Sequence, residues 1–125
     1  MIHGIGTDII EIDRVKSAAA NPRFVGRVFT PVESAYCRDK ADPYPSFAVR
    51  FAAKEAVYKA LYPIIKASAW LEVEVIIEDR RPFIRLHGVS ERTARKNGIE
   101  AVYISLSHNN TMAQAFAVAV KKHFD

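Results

Sequence analysis

Hydrophobic positions along the chain change period several times, and each change marks a predicted element. Ile2 to Ile12 is mostly apolar and reads as a short strand. Gly4 and Gly6 interrupt it, a pattern that often allows close backbone approach. Asp8 follows them, inside the apolar stretch of Ile5, Ile9 and Ile10. Asp13 to Ala20 is rich in Ala, Lys and Arg and predicts a helix. Asn21-Pro22 caps and opens another helical turn. Thr30-Pro31-Val32-Glu33 is a capping box with proline in the first turn, and it starts a helix from Pro31 to Arg38. Asp42-Pro43-Tyr44-Pro45 predicts a loop. Ser46 is then expected to cap a long helix, Phe47 to Tyr62, which Pro63 stops.

The long helix is the most informative element. At about 100° per residue, Ala48, Phe51, Ala52, Glu55, Tyr58, Lys59 and Tyr62 share one face. Val49, Ala53, Ala56, Val57 and Ala60 form the other, and only Arg50 and Lys54 make a narrow polar arc. A helix apolar nearly all round is buried. This one nevertheless carries Glu55 and Lys59 one turn apart among aromatic side chains.

Downstream, Leu71, Val73, Val75 and Ile77 alternate with Glu72, Glu74 and Ile76 as in a half-buried strand. Asp79 to Pro82 turns it, and Phe83 to His87 returns. Ser90 is expected to cap a short basic helix ending at Gly98. Val102, Ile104 and Leu106 alternate in a further strand, and Asn109-Asn110 turns into the last one, Met112 to Lys121. There Phe116, Val118 and Val120 take one face and Ala113, Ala115, Ala117 and Ala119 the other, which predicts a very close neighbour. The order gives an α+β fold, with a mostly antiparallel sheet wrapped around a long buried helix.

Composition narrows the class. A chain of 125 residues predicts one domain, 1–125, and 50% apolar residues exclude a disordered or fibrous chain. The net charge of +4 suits an anionic substrate or an acidic partner without indicating nucleic acid. One cysteine, Cys37, forbids an intrachain disulfide and fits a reducing compartment. No apolar run reaches the roughly 18 residues of a membrane span. Met1-Ile2-His3-Gly4 lacks a signal-peptide design, so a cytoplasmic location is expected. Neither a phosphate-binding loop nor a dinucleotide fingerprint is present. One Cys and four scattered His argue against zinc, and Ser107-His108 has no activated-serine context. His3, His87 and His123 read as surface or strand-end residues, Cys37 as a small hydrophobe, and Trp70 as packing at a strand start.

Two carboxylates in apolar settings remain, Asp8 and Glu55. Each needs a partner, since isolated buried carboxylates are costly. One reading is an ion pair to Lys59, Lys54 or Arg50. The other is a hard cation such as Mg²⁺, which takes one or two protein carboxylates and completes its shell with waters and phosphate oxygens.

The motifs add a resemblance. Gly4-Ile5-Gly6-Thr7-Asp8-Ile9-Ile10-Glu11-Ile12 is similar to the opening of the holo-acyl-carrier-protein synthases, the small class of 4′-phosphopantetheinyl transferases. Arg50-Phe51-Ala52-Ala53-Lys54-Glu55-Ala56-Val57-Tyr58-Lys59-Ala60-Leu61 resembles that family's second signature, and Ser105-Leu106-Ser107-His108 its third. Phe29-Thr30-Pro31, with Glu33, Tyr36 and Cys37, fits the intervening helix. The match spans nearly the whole chain.

The resemblance implies that coenzyme A donates its phosphopantetheine arm to a serine of apo acyl carrier protein, releasing adenosine 3′,5′-bisphosphate, in fatty acid biosynthesis. It implies Asp8 and Glu55 as Mg²⁺ ligands and, with Lys59, as the catalytic set. Lys59, Arg50, Lys54 and His108 are implied contacts of coenzyme A. Arg14, Lys16, Arg23 and Arg27, with Phe24 among them, are implied as the docking face for the acidic carrier. It also implies a homotrimer with active sites between chains. One departure is the glycine-free segment 62–69, where many family members carry a Gly-rich turn; either Lys66 and Ser68 are its replacements or a mobile loop is expected there. Glu33 is a candidate base, but the capping box already gives it a structural role. A small basic binding module is the rival reading. It explains the charge but not the two carboxylates.

Overall fold

A computed structural model describes residues 1–123. The last two positions of the expected 1–125 domain lie outside the described residues. The chain runs β1 (Ile2–Glu11), α1 (Ile12–Ala19), α2 (Pro22–Val28), α3 (Pro31–Arg38) and α4 (Tyr44–Ala60). A single 3₁₀ turn (Trp70–Glu72) leads to β2 (Val73–Glu78), β3 (Arg81–Leu86), α5 (Gly88–Lys96), β4 (Ile99–His108) and β5 (Met112–Lys121). The strands form two antiparallel sheets, one ordered β1-β5-β4 and the other β2-β3. The α+β, antiparallel expectation therefore holds.

Local signals place most boundaries. Asn21 caps α2 by accepting from the Arg23 N–H. Thr30 and Glu33 close both halves of the capping box on α3, an arrangement of which the cap alone is worth about 1 kcal/mol. Asp79 and Arg80 form a two-residue hairpin loop with φ of 49° and 65°, the twist that joins right-twisted strands.

Two expected caps are wrong. Helix α4 begins at Tyr44, not after Ser46: the Asp42 carboxylate accepts from the Tyr44 N–H, and proline is tolerated in the first turn. Ser46 lies inside the helix, where its carbonyl accepts from Arg50. Helix α5 likewise begins before Ser90. Two first-turn N–H groups, on Val89 and Ser90, donate to Glu72 from a distant part of the chain. Glu72 itself belongs to the 3₁₀ turn, so β2 starts at Val73 rather than Leu71.

The alanine face of β5 has its close neighbour within the chain. Ala113, Ala115, Ala117 and Ala119 are fully buried, and Ala52, Ala53, Ala56 and Ala60 of α4 are buried with them. A second copy of the chain is therefore not what covers these alanines. Small residues on both surfaces let the helix lie close to the sheet. The same closeness explains the glycines of β1. A Cβ on Gly6 would collide with the Ala56 carbonyl oxygen, and one on Gly4 with that of Ala60. The opposite face of this sheet is apolar and open: Ile5, Ile9, Tyr103 and Phe116 are all exposed. No described helix is long and apolar enough to cross a membrane.

Candidate active site

The glycines set the site. Because β1 lies against α4 through Gly4 and Gly6, Asp8 is the next residue on that face of the strand. Its Oδ1 accepts from Lys59 Nζ at 3.2 Å, and the same ammonium donates to the Thr7 carbonyl at 2.9 Å. The pair is open, with side-chain exposures of 50% for Lys59 and 21% for Asp8. Glu55 lies one turn before Lys59. Its Oε1 accepts from the indole Nε1 of Trp70 at 2.8 Å, and no cation pairs with it among the described residues.

These carboxylates fit a hard divalent cation. Asp8 Oδ2 and Glu55 Oε2 are free of protein hydrogen bonds among the described residues. Among the described residues, no group of three His, Cys, Asp or Glu side chains gathers there to close a protein cage. Two carboxylate oxygens and an open front match a cation that keeps waters and phosphate oxygens.

Lys54, expected to touch coenzyme A, is instead sealed in the core. It and Glu33 form an ion pair at 2.8 Å with both side chains 0% exposed. The ammonium also donates to the carbonyls of Trp70 at 2.8 Å and Val73 at 2.6 Å. All three of its protons are used, so none is left for a ligand. Burial lowers its pKa, and the Glu33 charge opposes that. Glu33 accepts in addition from the N–H groups of Thr30 and Val75, which removes it as an accessible base. Cys37 is buried too, and burial pushes its thiol up to about 11.

Arg50 and His108 do come together. They line one cleft of about 500 Å³ with Tyr36, Ser46, Arg80 and Ser105. The Arg50 guanidinium lies 4.4 Å over the Tyr36 ring, and its buried Nε has no partner among the described residues. Arg80 carries no signal as a site residue in the sequence, and Tyr36 enters there only as part of the α3 motif. The Asp79-Arg80 turn was visible, but not what it faces. Lys59 is nine residues beyond Arg50, so at about 100° per residue the two project from opposite sides of α4. One chain thus presents two separate polar surfaces.

On the expected docking face, Arg14, Lys16, Arg23 and Arg27 are all exposed on α1 and α2. Phe24 is half-buried, its ring 6.1 Å from those of Phe29 and Phe51. Arg27 also borders a cleft of about 520 Å³ with Lys66, Ser68, Leu71 and Val89.

Comparison with known proteins gives this geometry its family. Residues 4–120 match the model of the 4′-phosphopantetheinyl transferase superfamily. The holo-[acyl-carrier-protein] synthase of Chlamydia caviae is 44% identical, over 93% of this chain and 95% of its own. The crystal structure of the Neisseria meningitidis holo-[acyl-carrier-protein] synthase superposes with a TM-score of 0.88 at 31% identity, covering 97% of this chain and 100% of that one. The Helicobacter pylori synthase, solved in complex with coenzyme A, superposes at 0.79 with 30% identity, covering 93% and 99%. With the match running from the glycines of β1 to the end of β5, the chain belongs to the 4′-phosphopantetheinyl transferase superfamily.

Proposed function

We propose that this chain transfers the 4′-phosphopantetheine group of coenzyme A to a serine hydroxyl of apo acyl carrier protein. The serine oxygen forms a new bond to phosphorus, the bond to adenosine 3′,5′-bisphosphate breaks, and the serine proton leaves to solvent. The carrying observation is the open constellation of Asp8, Glu55 and Lys59, in a chain whose relatives are holo-[acyl-carrier-protein] synthases. Phosphoryl transfer asks for positioning and charge neutralisation rather than covalent help. Lys59 supplies a cation beside the reacting phosphate. Asp8 and Glu55 would hold Mg²⁺, which when bound draws charge from the diphosphate. Arg50 and His108, with Arg80, offer the anionic end of coenzyme A a cationic cleft.

The finer reading is a homotrimer. Lys59 and Arg50 face opposite ways on α4, so a complete site takes Asp8, Glu55 and Lys59 from one copy and Arg50 and His108 from its neighbour. The exposed apolar row of Ile5, Ile9, Tyr103 and Phe116 supports an interface. Heterologous contacts that close after three copies give three equal sites. Arg14, Arg23 and Arg27 face the acidic carrier, in the cytoplasm and in the service of fatty acid biosynthesis.

Incubation with coenzyme A, Mg²⁺ and an apo carrier, followed by mass spectrometry of the carrier, tests the reaction. A carrier heavier by one phosphopantetheine is expected. An unmodified carrier overturns the proposal, and a fully active monomer in sedimentation equilibrium overturns the shared site.

A further inference from the structure

We propose that Trp70 is a positioning residue for the active site, its indole N–H holding Glu55 apart from Lys59 with one carboxylate oxygen free. This rests on the transferase reading above.

Glu55 and Lys59 stand at i and i+4, with the acid on the N-terminal side. That is the favourable order for an ion pair on a helix. Left to themselves the two would join, blocking both a metal-ligating carboxylate and the phosphate-facing ammonium. They do not join. Lys59 turns to Asp8 and the Thr7 carbonyl, and Glu55 turns to Trp70. An indole N–H is a donor only and keeps its proton, so it fixes one carboxylate oxygen without competing for a cation.

The indole is itself held. Lys54 donates to the Trp70 carbonyl at 2.8 Å from inside its buried pair with Glu33. The half-buried ring also packs against the cluster containing Phe29 and Phe47. A chain of contacts therefore runs from the core pair through the 3₁₀ turn to Glu55. Partners that orient a metal-ligating carboxylate commonly change metal affinity by about 10- to 100-fold when removed.

Trp70→Phe keeps the apolar ring and deletes the donor. With coenzyme A present and no carrier, Mn²⁺ binding is followed by electron paramagnetic resonance. The dissociation constant is expected to rise roughly tenfold or more in the variant. Turnover at saturating Mg²⁺ is expected to recover substantially, because the carboxylate is still there. Equal Mn²⁺ affinity in the two proteins overturns the proposal. A second measurement needs no variant. Trp70 is the only tryptophan, so Mg²⁺ added to the coenzyme A complex is expected to change its emission. Emission that stays constant across Mg²⁺ concentrations supporting transfer also overturns it. Failure of the transferase reading looks different: the unaltered protein then leaves apo carrier unmodified at every Mg²⁺ concentration.

Discussion

Helix α4 carries two lysine–carboxylate pairs five residues apart, and they have opposite surroundings. Lys54 and Glu33 are wholly buried, and every proton of the ammonium is committed. Lys59 and Asp8 are open, longer at 3.2 Å, and leave a carboxylate oxygen free. Each joins a lysine to a carboxylate, so the charge types alone do not separate structure from function. What separates them is whether other groups remain to be satisfied. A closed pair loses heavily if one partner goes, because the other is left charged in the core. An open pair contributes about 0–1 kcal/mol and is free to exchange its partner for a substrate.

The most severe way to break the closed pair is Lys54→Ala. It strands Glu33 and frees the carbonyls of Trp70 and Val73, a loss of about 3–5 kcal/mol. A fall in the thermal midpoint on the order of 10 °C or more is expected in a circular-dichroism melt. A midpoint within two or three degrees of the parent's, as roughly 0.5 kcal/mol gives, would mean the pair is not closed in the sense argued.

Lys59→Ala breaks the open pair and should invert that pattern. Stability stays within about 0.5 kcal/mol. Transfer falls roughly 10²- to 10³-fold, mainly in turnover rather than in coenzyme A binding. Melting curves and steady-state kinetics on the same preparation check both halves. A large loss of stability with normal turnover would reverse the assignment.

Gly6→Ala sharpens the comparison by moving the platform of the open pair. The added methyl meets the Ala56 carbonyl oxygen and Lys59 Cβ. Since one of these is helix backbone, α4 must shift away from β1. Overpacking of this kind costs about 1–3 kcal/mol, and the spacing of Asp8 against Glu55 and Lys59 changes with it. Stability and turnover should therefore fall together, in contrast to Lys59→Ala. Denaturant unfolding alongside the transfer assay distinguishes the two.

What could be read in advance divides along the same line. The Thr30–Glu33 capping box, the Asn21 cap and the strand alternations are local, and local spacing was enough to find them. Lys54 was misread as part of a polar arc because its partner, Glu33, lies 21 residues away, a distance no helical period encodes. A hint was present, since a lysine on a helix apolar nearly all round must be buried and paired. The same limit explains Ser90: the cap of α5 is Glu72, 18 residues upstream. The β5 alanines announced a close neighbour, and the matching alanines of α4 could have named it. Asp8, Glu55 and Lys59 were legible because two signatures carry them, yet the link from Glu55 to Trp70 spans a segment with no periodicity.

The smallest expected effect extends the closed region to acid. Glu74 lies beside Glu33, accepting from the Thr30 hydroxyl at 2.6 Å and contacting His87 Nε2 at 3.1 Å. Burial pushes its carboxyl up, but the Thr30 and His87 contacts outweigh this and hold it below the ordinary value of 4.5. The unfolded chain therefore binds more protons than the folded one between these values, and stability rises with pH there. Its contribution is complete above pH 4.5 and is lost as pH falls through the lower folded value. Glu74→Gln keeps an acceptor for Thr30 and removes the titration. Denaturant midpoints measured from pH 7 down to 3 should thus follow a shallower acid limb in the variant. Transfer at pH 7 should be unchanged, because Glu74 belongs to the buried network and not to the Asp8 site. An acid limb of the same steepness in both proteins would place the proton uptake elsewhere. A drop in transfer would show that the closed network reaches the open one through Glu74 and not through Lys54 and Trp70 alone.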